Sequence, residues 1–309
     1  MSAPAVPASR NQVHPATRSS WRKVLSRLLF WLVILLIIVY TLFPFYWAVV
    51  TSLKPRSELF ATPVALYPVN PTLEHYIAAF SADFFRRGLL NSVIVAVTTV
   101  ILALIIGAVA AYAMGRLRFR GRGVVLYTTL AMTTFPQIAI LPSLFTMVRN
   151  PCVIFGGDCA QFSVYNTYLA LIIPYMTFTL PFTVWVLTNF FKTLPAELEQ
   201  AAYVDGASPL QTFYLVLLPL SMPGLVTTGL LAFINAWNEF LFALTFTIDY
   251  KARTVPVAIA TFSGGPGSFE IPWGDIMAAS IVVTVPLIIL VLIFQRRILA
   301  GLTAGAVKG

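Results

Sequence analysis

The chain has 309 residues, 59% of them hydrophobic and only 10% charged, with a formal net charge of +9. A soluble domain carries roughly 25% charged residues, so this composition excludes an ordinary soluble globule and predicts an all-α integral membrane protein. The positive charge does not point to a nucleic-acid partner, because it is grouped beside apolar runs, where it suits the anionic headgroups of a lipid bilayer.

Residues 1–24 are rich in Pro, Ser and Ala and read as a disordered tail. A helix needs about 20 apolar residues to cross the hydrocarbon core. Six runs meet that length: 28–50, 89–114, 124–148, 165–191, one within 220–246, and 276–294. The first run is too long for a cleaved signal peptide and lacks a small-residue cleavage site. Residues 25–300 are therefore expected to form a six-span domain, followed by a short tail at 301–309. The apolar run leading into span five starts near Phe213 and contains Pro219 and Pro223. These prolines are expected to divide a cytoplasmic lead-in helix from the span proper.

Orientation follows from Lys and Arg. One side collects Arg10, Arg18, Arg22, Lys23 and Arg27, then Arg116, Arg118, Arg120 and Arg122 in "GRLRFRGRG", then Lys192, Arg296, Arg297 and Lys308. The other side holds only Lys54, Arg56, Arg86, Arg87, Arg149, Lys251 and Arg253. The bias places both termini, and the segment after span four, in the cytoplasm.

Cys152 and Cys159, the only cysteines, lie in "NPCVIFGGDCAQF" between spans three and four, on the external side. A Gly-Gly-Asp turn between them suits bridging distance, and an oxidising compartment permits the bond. A disulfide is favoured here over two free thiols.

Several chemistries have no support. There is no G-x-x-x-x-G-K-[ST] phosphate loop and no H-E-x-x-H, and the only histidines are His14 and His75. No nucleophile–base pair stands out. No catalytic residue, metal site or cofactor is expected on this chain.

The segment "ELEQAAYVDGASPLQTFYLVLLP", residues 197–219, breaks the apolar pattern. Pro195 suits the first turn of a short helix, and Glu197 and Glu199 lie where the helix dipole favours negative charge. Leu198, Ala201, Ala202 and Asp205 share one face, and its two alanines admit another backbone. Gly206 suits the left-handed residue that closes a helix. Ser208, Pro209 and Gln211 then read as a capping box opening a second helix. A knob of this kind, acidic and rich in small residues, suits docking onto a protein better than lying on anionic lipid.

Within span five, Asn235, Asn238 and Glu239 fall at i, i+3 and i+4, near one face, with Trp237 beside them. Ionisable groups inside a span are expensive and suggest function. Two roles remain open: lining a path for a polar solute, or contacting a neighbouring subunit or an external gate. Residues 262–269, "FSGGPGSF", read as an external, mobile loop.

The stretch "QAAYVDG", closed by Leu218-Pro219, resembles the E-A-A loop of permease subunits from ATP-binding cassette importers. It departs from the family pattern at Gln200, where Glu is usual, with Glu199 alongside. "NAWNEFLFALTFT" is similar to the carbohydrate-importer branch, and the ending "GLTAGAVKG" resembles the smaller maltose-type permease. The likeness covers residues 25–309. It implies a type I importer permease fold in the cytoplasmic (inner) membrane, with a coupling helix over about 195–208. It further implies that Glu197, Glu199, Gln200, Ala201, Ala202, Asp205 and Gly206 contact an ATPase subunit. Two such subunits would carry ATP and Mg. A second, related permease and an extracytoplasmic sugar-binding protein would complete the importer. The path residues would be Asn235, Trp237, Asn238 and Glu239, and the solute a sugar such as maltose or trehalose, or else glycerol phosphate or another small polar solute. Loop 262–269 would either reach into the binding protein or be a plain connector, and the tail would either thread along the ATPase subunits or be a free end. An ion-coupled carrier is the rival class. It would usually show paired broken helices in two halves, and no internal repeat is visible.

Overall fold

The computed structural model describes residues 20–153, 156–262 and 270–303, with no strand among them. Twelve helical segments follow in chain order: α1 Ser20–Leu53, α2 Glu74–Ser81, α3 Asp83–Gly115, α4 Arg122–Thr133, α5 Gln137–Arg149, α6 Leu169–Thr193, α7 Glu197–Val204, α8 Pro209–Leu220, α9 Met222–Trp237, α10 Leu241–Phe246, α11 Val255–Ala260 and α12 Trp273–Thr303. The chain divides into two compact units, Met1–Val49 and Val50–Gly309. The described part of the first is the apolar helix α1, whose side chains are mostly exposed, as lipid-facing residues would be.

Four helices are long and apolar enough to cross a bilayer by themselves: Trp21–Leu53 of α1, α3, α6, and Trp273–Gln295 of α12. Two bent pairs account for the other two runs. α4 and α5 meet at 95°, and α8 and α9 at 74°. The first bend was not expected, since residues 124–148 read as one continuous span. Its cause is local. Phe135 precedes Pro136, which disfavours helical geometry, and the Thr133 and Thr134 hydroxyls donate to the Leu130 and Ala131 carbonyls at 2.7 and 2.8 Å. The second bend falls at the predicted prolines. Residues Phe213–Leu217 loosen into a π turn, Pro219 withholds its N–H, and Ser221 donates back to the Leu217 carbonyl at 2.7 Å.

Within the larger unit, α3 runs against α6 as its main packing partner. In lipid, helices associate through close packing of small residues. Ala103, Gly107, Ala108 and Ala111 supply that surface on α3. A Cβ at Gly107 would stand 2.6 Å from Thr183 Cγ2, so glycine sets the approach of the two helices. Ile101, Ile105 and Val109 of α3 remain exposed, as a lipid-facing side requires. The core has two parts. One gathers Phe85, Leu171, Trp237, Phe242, Phe246 and Val255. The other gathers Tyr112, Leu187, Phe191, Phe213 and Leu217 next to α7.

Candidate functional site

Two places carry the polar features: the knob at α7 and a cleft between the broken helices.

The knob is built from its caps. α7 ends in a paired motif: Ala207 N–H donates to the Ala202 carbonyl at 2.9 Å, and Gly206 N–H to the Tyr203 carbonyl at 3.1 Å. This wrap requires a left-handed residue, and Gly206 has φ +82° with open space around its Cα. Ser208 and Gln211 complete the capping box: Ser208 N–H donates to Gln211 Oε1 at 2.7 Å, and Gln211 N–H to Ser208 Oγ at 3.3 Å. The helix starts at Glu197, so Pro195 lies ahead of it and not in its first turn.

The faces of α7 differ from the sequence expectation. Ala202 is buried against its own chain and Leu198 is half-buried, while Ala201 is exposed. The two alanines therefore do not form one free face. The outward side presents Glu197, Gln200, Ala201, Tyr203, Val204 and Asp205, with Val204 88% exposed. Glu199 turns inward, its Oε1 3.0 Å from Arg116 Nε. Arg116 also donates from Nη2 to the Leu194 carbonyl at 2.5 Å. In the sequence Arg116 is one of the four arginines of "GRLRFRGRG", and no local pattern pairs it with a residue 83 positions later.

The cleft lies where the α4–α5 bend faces the gap between α9 and α10, and measures about 580 Å³. Thr133 and Gln137 come from the first bend, Asn235, Asn238 and Glu239 from the second region. Phe178, Thr179 and Phe182 of α6 form its back, and Phe240 and Leu241 complete the lining. Asn235, Asn238 and Glu239 thus share the cleft. Trp237 does not: it is buried in the core and stacks near Phe233 at 5.4 Å between ring centres, because it projects from the opposite face of α9.

Glu239 sits in the gap and caps α10. Its Oε1 accepts from Phe242 N–H at 2.7 Å and its Oε2 from Ala243 N–H at 3.2 Å. These are first-turn amides with no helical acceptor, and negative charge is favoured there. Buried Tyr175 stands beside the carboxylate. Asn238 donates to the Ile234 carbonyl at 2.8 Å. Carboxamides, a carboxylate and phenyl rings around one hollow can exchange hydrogen bonds with hydroxyl groups and stack on a sugar ring. Among the described residues no group of His, Cys, Asp and Glu is placed to hold a metal.

Elsewhere, Cys152 and Cys159 are joined, with Cα atoms 5.4 Å apart. Asn150 organises that loop: its Oδ1 accepts the N–H groups of Cys152 and Cys159 at 3.3 and 2.9 Å. His75, read only as no metal ligand, is buried, with Nδ1 2.6 Å from Asp275 Oδ1 and Nε2 2.9 Å from the Lys54 carbonyl. Arg56 adds an ion pair to Asp275 at 3.4 Å. Residues 263–269 of the predicted glycine-rich loop, 1–19 of the first tail and 304–309 of the last lie outside the described residues, whereas Gly301–Thr303 continue α12 instead of starting a tail.

Residues 103–303 match the family described as "Binding-protein-dependent transport system inner membrane component". The chain belongs to this family. It is a multi-pass membrane transport subunit, not an enzyme, with the type I importer permease fold. It is 42% identical over 93% of its length to the trehalose/maltose transport system permease protein MalG of Thermococcus litoralis, covering 99% of that protein. It is 43% identical over 92% of its length to the trehalose transport system permease protein SugB of Mycobacterium tuberculosis, covering 98% of it. A solved bacterial ABC transporter for the acidic polysaccharide alginate shares the fold: TM-score 0.75, 21% identity, 92% of this permease and 99% of that chain.

Proposed function

We propose that this permease is one of a pair forming the path of an ATP-driven sugar importer, with trehalose or maltose as the solute. The observation that carries the reading is the end-to-end similarity, above 40% identity, to two permeases named for trehalose or maltose transport. The cleft supports it, since Gln137, Asn235, Asn238 and Glu239 surround a hollow backed by Phe178 and Phe182. In this reading both termini and α7 are cytoplasmic, which the arginines around 116–122 support. The outward side of α7, Glu197 to Gly206, docks on an ATPase subunit, and two such subunits bind ATP and Mg. An extracytoplasmic binding protein delivers the sugar. The α4–α5 and α8–α9 bends by themselves would also suit an ion-coupled carrier, and family membership decides against that class.

The test is uptake of labelled trehalose and maltose by proteoliposomes holding the full complex. Uptake is expected only with ATP on the ATPase side and binding protein on the other. Uptake driven by a proton or sodium gradient without ATP would overturn the reading.

A further inference from the structure

The end of α3 holds a contact that the docking role does not require. Arg116 caps α3, its backbone N–H donating to the Tyr112 carbonyl at 2.9 Å. Its guanidinium then reaches two other elements. Nη2 takes the Leu194 carbonyl, which ends α6, and Nε pairs with Glu199 of α7. The two charged side chains are 11% and 15% exposed, whereas Arg118 and Arg120 in the same loop are exposed residues. One turn earlier, the Tyr112 hydroxyl donates to the Pro209 carbonyl at 3.3 Å, beyond the Gly206 turn. The Tyr112 ring packs 5.0 Å from that of Phe213 at the start of the π turn.

The knob is thus tied to the spans from both sides of its turn. α6 runs from Thr193, next to Leu194, back to Phe182 and, past Pro181, to Thr179 and Phe178, which line the cleft. Eleven helical steps separate Thr193 from Phe182, roughly 16 Å at 1.5 Å per residue. A displacement of α7 would therefore reach the cleft along α6 if the tie at Leu194 is stiff.

We propose that Arg116 is a positioning residue for energy coupling, its guanidinium clamping Glu199 of α7 to the ends of α3 and α6 so that movement of the knob moves the wall of the cleft. A second consequence concerns the docking side. Glu199 is committed within the chain, so it does not replace the charge missing at Gln200, and the partner meets a neutral amide there. The proposal rests on the reading of α7 as the ATPase contact.

The experiment measures labelled trehalose imported per ATP hydrolysed by the complete complex in proteoliposomes, alongside pull-down of the ATPase subunit. Arg116→Gln and Glu199→Gln should each lower the transport ratio roughly tenfold, as expected when a transmitting contact is lost without loss of the partner. The double variant should be no worse than the poorer single, because both remove one interaction. Arg116→Lys, which keeps a charge beside Glu199, should retain at least half of the ratio. Pull-down should persist in all four. A wild-type ratio in both single variants, or a double-variant loss equal to the product of the singles, overturns the clamp. Where a glutamine variant fails to assemble, Arg116→Lys and Glu199→Asp decide by the same ratio. Val204→Asp on the outward side separates the two ideas. It should abolish pull-down if α7 docks, and retained pull-down rejects the docking reading whatever the ratio shows.

Discussion

The knob and the cleft are both polar departures in an apolar chain, but they are made differently. At the knob the residues that shape the turn all lie within the fifteen positions from Glu197 to Gln211, and the shape comes from backbone caps. In the cleft the lining comes from positions 133–137, 178–182 and 235–241, brought together where the α4–α5 bend and the α9–α10 gap meet α6. The knob's form is therefore a local property that should survive in isolation from the cleft, whereas the cleft depends on the packing of α4, α6 and α9. A local defect at the knob should disconnect the machine without dismantling it. A defect in the cleft should act on the solute.

The sharpest way to break this contrast is Gly206→Val. Its Cα has open space, so the cost is one of backbone alone, about 1–2 kcal/mol for an L-residue held left-handed. That is enough to turn α7 against α8. We expect normal membrane insertion and at least tenfold lower sugar uptake, while Gly206→Asn, which tolerates this conformation, keeps most of it. Uptake assays normalised to inserted protein decide it, and full activity in Gly206→Val would remove the geometric role of the turn.

A smaller effect is expected in the cleft. Glu239→Gln keeps one acceptor for the α10 amides and loses the charge, so the complex should assemble while uptake falls about fivefold, a loss of roughly 1 kcal/mol in transition-state terms. Blue-native electrophoresis beside the uptake assay separates this from collapse of the complex, which would make Glu239 purely structural.

The remaining contrasts lie away from both sites. Non-reducing mass spectrometry should find Cys152 linked to Cys159, and the double serine variant should transport normally, because neither cysteine is among the residues that line the cleft. Ready labelling of both thiols without reductant would reject the bond. Least of all should be the change on Asp249→Asn. Lys251 N–H and the Asn166 amide hold the Asp249 carboxyl below its ordinary range. Its contribution is present at neutral pH and lost as pH falls through the lowered value. Thermal midpoints of the two proteins should differ slightly near pH 7 and converge in acid.

These sites were legible in the sequence to different degrees, for the same physical reason that separates them. Gly206, Ser208 and Gln211 signal their geometry within a few residues, so the knob's turn could be read directly. The shared side of Asn235, Asn238 and Glu239 followed from helical spacing. The α4–α5 bend does interrupt the apolar run, at Thr133, Thr134, Pro136 and Gln137, but the total length of 124–148 suits one span and masks the break. Thr133 and Gln137 were therefore missed as cleft residues. Trp237 was placed by proximity in sequence, where its helical angle puts it in the core. Arg116–Glu199 and His75–Asp275 join positions far apart in the chain, and nothing in either local pattern announces the other member.

In the proposed function the outward side of α7 is where this permease meets its energy source. A photo-crosslinking residue at Val204, 88% exposed at the end of that helix, tests it in the assembled complex. The predicted result is a covalent product with an ATPase subunit whose yield changes when ATP is added, and little product from the same probe at lipid-facing Ile105. Capture of lipid alone at Val204, in a complex that still contains its ATPase subunits, would contradict it.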